Sequence, residues 1–334
     1  MNDSVIGIDA LTLTFTGSKD LLKEPVEKRN RNNKLYMRVD RTRRSNEYIV
    51  VVILPSIIRP TNERGYSLYD KVKLEMVIDI VKQGLLEILR TDDLSSLTVK
   101  AVEVNSNRRI SEKVDCNILM EFIACALLKT EEQQIRHCRG KKIKGRGTVK
   151  QPVLDGFKTD RNSSGRFYQK IYVKSRQMGL EGKMPSVVRI EHVYNVRGVK
   201  QALHRKDTVS LADVLDSHSM GLLFQRYILD VEQCFCTPVR LFLSDAVNII
   251  LEELKNGTGA YKVLLKHYDL VRYDYRIYRV ALKQLYKLVG GTKQAYQVQA
   301  SRIKSIAEQE GIVINEGTIR EIEHFVKDIR NQRT

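Results

Sequence analysis

In RFYQKIYVK, residues 166–174, tyrosines and lysines fall on alternate positions. Side chains on a β-strand point to opposite faces in turn. Arg166, Tyr168, Lys170, Tyr172 and Lys174 therefore share one face, and Phe167, Ile171 and Val173 take the other. A second stretch, SVVRIEHVY at 186–194, puts Arg189 and Glu191 on a face with Val187 and Val193, and Val188, Ile190, His192 and Tyr194 opposite. Pairing of the two strands would bring the tyrosine–lysine face beside the Arg–Glu face. Those residue types allow attack of a phenolic oxygen on phosphorus. An unperturbed tyrosine titrates at about 10, so neighbouring cations must lower it, and a divalent metal must spread the charge on phosphate. Covalent attachment splits one hard displacement into two and preserves the phosphodiester's energy for rejoining. Tyr172, Lys174, Tyr168, Lys170 and Arg189 are the candidate catalytic residues, with Glu103 and Glu191 as candidate ligands for Mg2+ or Mn2+. The same pattern also describes an ordinary sheet surface, where cross-strand Lys–Glu pairs stabilise modestly.

The chain has 334 residues, enough for two domains by the usual size range, and a formal net charge of +17 from 57 Lys+Arg against 40 Asp+Glu. Such a balance points to nucleic acid or an anionic membrane surface. No apolar run reaches the roughly 20 residues that span a bilayer, and MNDSVIGIDALTLTF has no signal-peptide pattern, so nucleic acid is favoured. The charge concentrates at 136–150, RHCRGKKIKGRGTVK, where Arg136, Arg139, Lys141, Lys142, Lys144 and Arg146 lie among three glycines. That reads as a cationic loop suited to phosphates. Cys116, Cys125, Cys138, Cys234 and Cys236 are odd in number and show no CxxC spacing, which fits free thiols. There is no GxxxxGK[ST] loop, HExxH or GxSxG, so ATP hydrolysis, zinc proteolysis and α/β-hydrolase chemistry are unsupported.

The elements that must position these residues follow from periodicity. Residues 5–16 alternate as a half-buried strand with Asp9 at its start, on the face of Leu11, Leu13 and Phe15. Residues 19–33 read as loop, and 34–40 and 48–54 as strands, the second apolar on both faces and hence central. Residues 68–89 form an amphipathic helix with Val72, Met76, Ile80, Leu85, Leu86 and Leu89 inward. In the strand 97–105, Glu103 shares a face with Val99 and Ala101, and a carboxylate there needs a cation, a metal or water. A second helix covers 115–128. Beyond 197 the chain reads as helical, broken at 217–219, 236–238, 257–259 and 290–291. Six tyrosines at 261–287 sit among Lys and Arg, a mixture suited to phosphate and base contacts. Residues 301–330 could form a small helix-turn-helix.

The order of IDALTLTF, VVVILPSIIRPTNERGYSLYD, LTVKAVEVN, GRFYQKIYVKSRQ and VVRIEHVYNVRGVKQAL resembles the rolling-circle replication initiators of the phage and plasmid gene II/X type, over roughly residues 5–205. The resemblance implies a Mg2+-dependent nickase that cuts one strand of a double-stranded origin through a 5′-phosphotyrosine and later recloses the displaced strand. It makes Tyr172 the nucleophile, Lys174 its electrostatic partner and Tyr168 the reserve, and it matches Arg189–Glu191 to the family's Arg-x-Glu strand. Lys100 and Glu103 stand where relatives often carry Arg-x-Asp, and Ser175-Arg176-Gln177 replaces an acid. The histidine pair of the wider nickases is absent, so carboxylates must hold the metal, with His192 as a further candidate.

The expected fold is α+β: antiparallel sheets covered by helices in a catalytic domain at 1–205, then a mostly α-helical accessory DNA-binding or interaction domain at 206–334. The expected partners are origin DNA and its displaced single strand, with a host helicase and a single-strand binding protein implied by the resemblance, in the cytoplasm of a bacterial host. A non-enzymatic, sequence-specific DNA-binding protein uses the same charge, and an RNA-binding protein is a third reading. Metal-dependent covalent attachment to DNA separates the first from both.

Overall fold

The structure is a computed structural model that describes residues 6–18, 21, 26–30, 35–42, 46–53, 71–128, 135–137, 156–159, 165–177 and 185–331. Nine strands form one sheet: β1 (Ile6–Thr16), β2 (Val26–Asn30), β3 (Leu35–Arg41), β4 (Glu47–Ile53), β5 (Leu97–Arg109), β6 (Ile135–His137), β7 (Gly156–Thr159), β8 (Phe167–Val173) and β9 (Val187–Asn195). Their order is β2-β3-β4-β1-β5-β9-β8-β7-β6, with every neighbouring pair antiparallel. With the helices that follow, this is an α+β fold.

The alternation in the sequence becomes a two-sided sheet. One face carries Leu11, Leu13, Val50, Val52, Val102, Val104, Ile171, Val188 and Ile190, all buried in a single core. Helices close that core from behind, chiefly Lys71–Leu89, Cys116–Leu128 and Ser217–Val231. The opposite face carries Tyr168, Lys170, Tyr172, Glu103 and Thr12, all half-exposed. Strand β9 is buried along eight of its nine residues, on both faces: Val188 and Ile190 lie in the core, and on the other face side chains of β1, β5 and β8 cover Arg189 and Glu191.

Two β-bulges change which face a side chain takes. In the β1–β5 ladder the register shifts between Ile8 and Ala10 and again between Thr12 and Leu13. A bulge sets two residues against one. Asp9 is the extra residue at the first shift, and the change of parity there takes it off the Leu11–Leu13 face. At the second shift Lys100 is extra, which turns Val99 into the core, away from Glu103 and Ala101. Alternation counted from the sequence cannot see either shift.

Other expectations are also revised. β2 lies in the stretch read as loop, and β6 opens the cationic segment; charge-rich residues pair there as edge or near-edge strands. β4 is flanked on both sides, yet Ile49 and Ile53 on its outer face are exposed. Leu86 is 52% exposed, and Val81 and Ile88 take the inward positions instead. Residues 54–70, which include the first residues of the helix expected at 68–89, lie outside the described residues. Cys236–Pro238 does not break a helix: a π-helical turn, Glu232–Cys236, joins Ser217–Val231 to Thr237–Lys255. The joined helix holds a stretch apolar enough to cross a bilayer by length and composition, and half of that stretch is buried inside the protein. Run length alone had missed it because polar residues interrupt it. Cys116, Cys125, Cys234 and Cys236 are free thiols.

A second core joins Thr237–Lys255 to Arg276–Leu288 and Lys293–Gln309. Of the six tyrosines expected to face nucleic acid, Tyr273, Tyr275 and Tyr278 are buried instead, with Tyr275 and Tyr278 stacked at 5.7 Å. Asp274, 1% exposed, ties this layer together. It accepts the backbone N–H of Arg276 at 2.8 Å and that of Ile319 at 2.8 Å, so one carboxylate serves the first turns of two helices, Arg276–Leu288 and Thr318–Asn331. Asp274→Ala strands both donors in the core and is expected to cost about 1–3 kcal/mol. Urea unfolding checks this, and a change within a few tenths of a kcal/mol would refute it.

Candidate active site

Strand register assembles the site. Directly opposed residues of an antiparallel pair share a face, and here Lys170 opposes Glu191, Tyr172 opposes Arg189, Glu191 opposes Asn105 and Arg189 opposes Asn107. Glu103 opposes Val193 on β9 and Ala10 on β1, next to the Asp9 bulge. Four strands thus deliver Asp9, Glu103, Tyr172, Lys170, Arg189 and Glu191 to one patch of the half-exposed face.

Tyr172 donates its hydroxyl proton to Glu191 Oε2 at 2.9 Å. The Lys170 ammonium bonds the other Glu191 oxygen and reaches Glu103 Oε1 at 3.3 Å. Arg189 is 2% exposed and spends its guanidinium on Asp9 Oδ2 at 2.9 Å and Asn107 Oδ1 at 2.8 Å. Asn107 in turn donates to Asn105 at 3.0 Å. Lys174 Nζ stands 5.8 Å from the centre of the Tyr172 ring and donates to Gln177 at 3.0 Å. Lys170 Nζ is 5.5 Å from the Tyr168 ring centre, so the reserve tyrosine lies on the same face, across from Val193.

Ligand oxygens of Asp9, Glu103 and Glu191 lie within 4.8 Å of one another. Three carboxylates are hard oxygen donors of the kind Mg2+ and Mn2+ prefer. Burial, and then the like charge of Glu191, push the Glu103 carboxyl up from the usual range to about 7. Burial also raises the Tyr172 phenol far above its ordinary value; Arg189 opposes this and Glu191 adds to it. Burial lowers the Lys174 ammonium, helped by Arg189. For Lys170 burial acts downward, but Glu191 and Glu103 outweigh it and hold the ammonium charged.

The Glu103 shift has a definite sign. A carboxyl raised in the fold favours folding most below its unfolded value, and that contribution fades as pH climbs through 7. A bound cation must displace the same proton. Mg2+ affinity measured by calorimetry is therefore expected to fall about tenfold per unit as pH drops below 7, with one proton released. Glu103→Gln is expected to weaken binding at alkaline pH while raising the Tm of the metal-free protein there. Affinity unchanged from weakly acid to weakly alkaline solution would remove Glu103 from the ligand set.

The sequence singled out Tyr172, Tyr168, Lys170, Lys174, Arg189, Glu191 and Glu103; six lie on this face, and Lys174, read as the end of the strand, instead opens the short helix Lys174–Gln177 with its ammonium beside the Tyr172 ring. It did not place Asp9 here, although an acid inside an apolar alternation, two residues after Gly7, was the available signal. His192 is not a ligand. It sits on the core face, stacked on Phe167 at 4.5 Å and bonded to Gln169 at 2.8 Å, and burial pushes its imidazole down to about 3. Of the cationic segment, the backbone of Arg136 pairs with Lys158 in the β6–β7 ladder. Arg139, Lys141, Lys142, Lys144 and Arg146 lie outside the described residues.

No family model matches the sequence, and no curated protein matches it. Among solved structures, a rolling circle replication initiator protein from Geobacillus stearothermophilus aligns with 70% of this chain and 85% of its own, at 13% identity and a TM-score of 0.32.

Proposed function

We propose that this chain initiates rolling-circle replication by nicking and rejoining one strand of origin DNA through Tyr172. The observation that carries the reading is the Tyr172–Glu191 hydrogen bond inside a cluster of three carboxylates and three cations. Asp9, Glu103 and Glu191 would hold a divalent ion, which when bound stabilises negative charge on the scissile phosphate. Glu191 accepts the hydroxyl proton and aims the Tyr172 oxygen. As the phenolic oxygen bonds to phosphorus, the bond from phosphorus to the 3′ oxygen breaks, leaving a 3′-hydroxyl and a 5′-phosphotyrosine. Attack by a 3′-hydroxyl reverses the step and reseals the strand. Lys174 and Lys170 supply positive charge beside the two tyrosines, and Arg189 fixes Asp9 as a positioning residue. Origin duplex and the displaced single strand are the DNA partners under this reading, with a helicase and a single-strand binding protein of the host required downstream.

The test is incubation of the full chain with supercoiled origin plasmid and Mg2+ or Mn2+, scored after SDS for nicked circles and protein–DNA adduct. Metal-dependent nicking with an adduct supports the proposal. Binding to the plasmid with neither product overturns it, in favour of a non-enzymatic DNA-binding protein.

A further inference from the structure

Between Asp274 and Glu308 the chain has seven Lys/Arg and no Asp or Glu. That run folds into two helices, Arg276–Leu288 and Lys293–Gln309, joined by only Val289, Gly290, Gly291 and Thr292. The joint is built for a tight turn. Gly290 has φ +70, and a Cβ on Gly291 would come within 2.6 Å of the Tyr286 ring. Thr292 then caps the second helix by accepting the Ala295 N–H at 3.2 Å. Tyr278, Ala281 and Leu282 of the first helix share a buried core with Ala300, Ile303 and Ala307 of the second, and the Tyr275 hydroxyl bonds the Ala300 carbonyl at 2.7 Å. A short glycine-containing turn between two packed helices is the connection that a helix-turn-helix uses, and it lies one connection earlier than the 301–330 pair read from the sequence.

The outward surface has the matching chemistry. Arg276 and Lys304 are ion-paired, to Glu323 and to Glu308 and Glu316. Arg279, Lys283, Lys287, Lys293 and Arg302 are exposed, and no carboxylate among the described residues lies within ion-pairing distance of them. On the second helix Gln294, Gln297, Val298, Ser301, Arg302 and Ser305 are all exposed, and at 100° per residue they fall on one stripe. A helix of this width fits the DNA major groove, where Gln and Arg read adenine and guanine edges and an apolar group meets the thymine methyl. Val298, 63% exposed at the middle of an otherwise polar stripe, has no packing role that explains it.

We propose that Lys293–Gln309 is a recognition helix that reads duplex DNA sequence, with Lys283 and Lys287 holding the phosphate backbone. The inference builds on DNA as the substrate of the tyrosine site but places duplex recognition on a separate surface. Phosphate contacts set affinity, and base-edge contacts set specificity. The two groups of residues must therefore fail differently.

The full chain is used to select from a random-sequence duplex pool, and the winners are measured by fluorescence anisotropy over a salt series. The wild type is expected to select a defined motif. Arg302→Ala and Gln297→Ala are each expected to relax one base position by about ten- to a hundredfold. Lys283→Ala and Lys287→Ala should weaken all duplexes alike and lower the salt slope by about one each. Unchanged Tm verifies folding of these exposed variants. No selected motif, or a motif indifferent to both Arg302 and Gln297, overturns the inference. Covalent capture of a single-stranded origin oligonucleotide is run on the same variants. Adduct formation with an indifferent motif removes only the recognition helix. A motif that depends on Arg302 without any adduct removes only the tyrosine chemistry.

Discussion

Tyr172→Phe is expected to abolish nicking and the SDS-stable adduct, with a rate loss of at least about 10^4-fold, while the protein stays folded. The asymmetry follows from what the hydroxyl does. It is the attacking atom, and Tyr168, the other tyrosine on this face, lies opposite Val193 and not beside the Arg189–Glu191 pair. Losing a nucleophile typically removes nearly all of the chemistry that its partners support. Structurally it makes one hydrogen bond, to Glu191 at 2.9 Å, and Glu191 keeps its Lys170 partner when the hydroxyl goes. The stability cost should be about 1 kcal/mol. Tyr168→Phe is expected to retain activity within a few-fold, since Tyr168 lies opposite Val193 and not opposite the Arg189–Glu191 pair. Loss only in Tyr168→Phe would move the nucleophile two positions along the strand. Loss in neither would end the tyrosine mechanism.

Glu103 and Glu191 have a complementary expectation. Burial raises the Tyr172 phenol above its ordinary value instead of lowering it, so the bare site does not activate the nucleophile. Catalysis then requires the carboxylates to be ionised and neutralised by a cation, which ties the rate to the Glu103 proton near 7. The nicking rate should rise with pH through neutrality.

The readable part of this site is the part that obeys period two. Lys170, Tyr172, Arg189 and Glu191 are on strands without bulges, so alternation alone assigned their faces, and antiparallel pairing did the rest. Asp9 was illegible for the opposite reason. A bulge adds one residue to a strand and inverts the parity downstream of it, and the acid that interrupts the apolar alternation of IGIDALTLTF is only an indirect sign of where the extra residue sits. His192 was misplaced by chemistry overriding geometry: its alternation already put it on the core face, where Gln169 and Phe167 satisfy it. The tyrosines at 273, 275 and 278 misled because a Tyr with a buried hydroxyl partner behaves as a core residue. Tyr275 and Tyr278 bond backbone carbonyls. Composition reports that a ring is present, not which way the helix turns it.

Arg189→Met is expected to be the most damaging single change to stability, at about 3–5 kcal/mol. The side chain is 2% exposed and buried among polar partners rather than apolar ones. Removing it leaves Asp9 without its cation and Asn107 without its donor, inside a face that already concentrates three carboxylates. An isolated ion pair on the surface would be worth under about 1 kcal/mol, so the depth of the guanidinium decides the outcome. Arg189→Lys separates charge from shape. It restores the positive charge but cannot bond Asp9 and Asn107 at once, and should recover less than half of the loss. Asp9→Asn, which removes one negative charge while keeping an acceptor for Arg189, should cost far less stability than Arg189→Met, yet weaken Mg2+ binding. Chemical denaturation of the three variants tests the set. If Arg189→Met melts within a degree or two of wild type, Arg189 is not what positions Asp9, and the bulge alone must hold the third carboxylate in place.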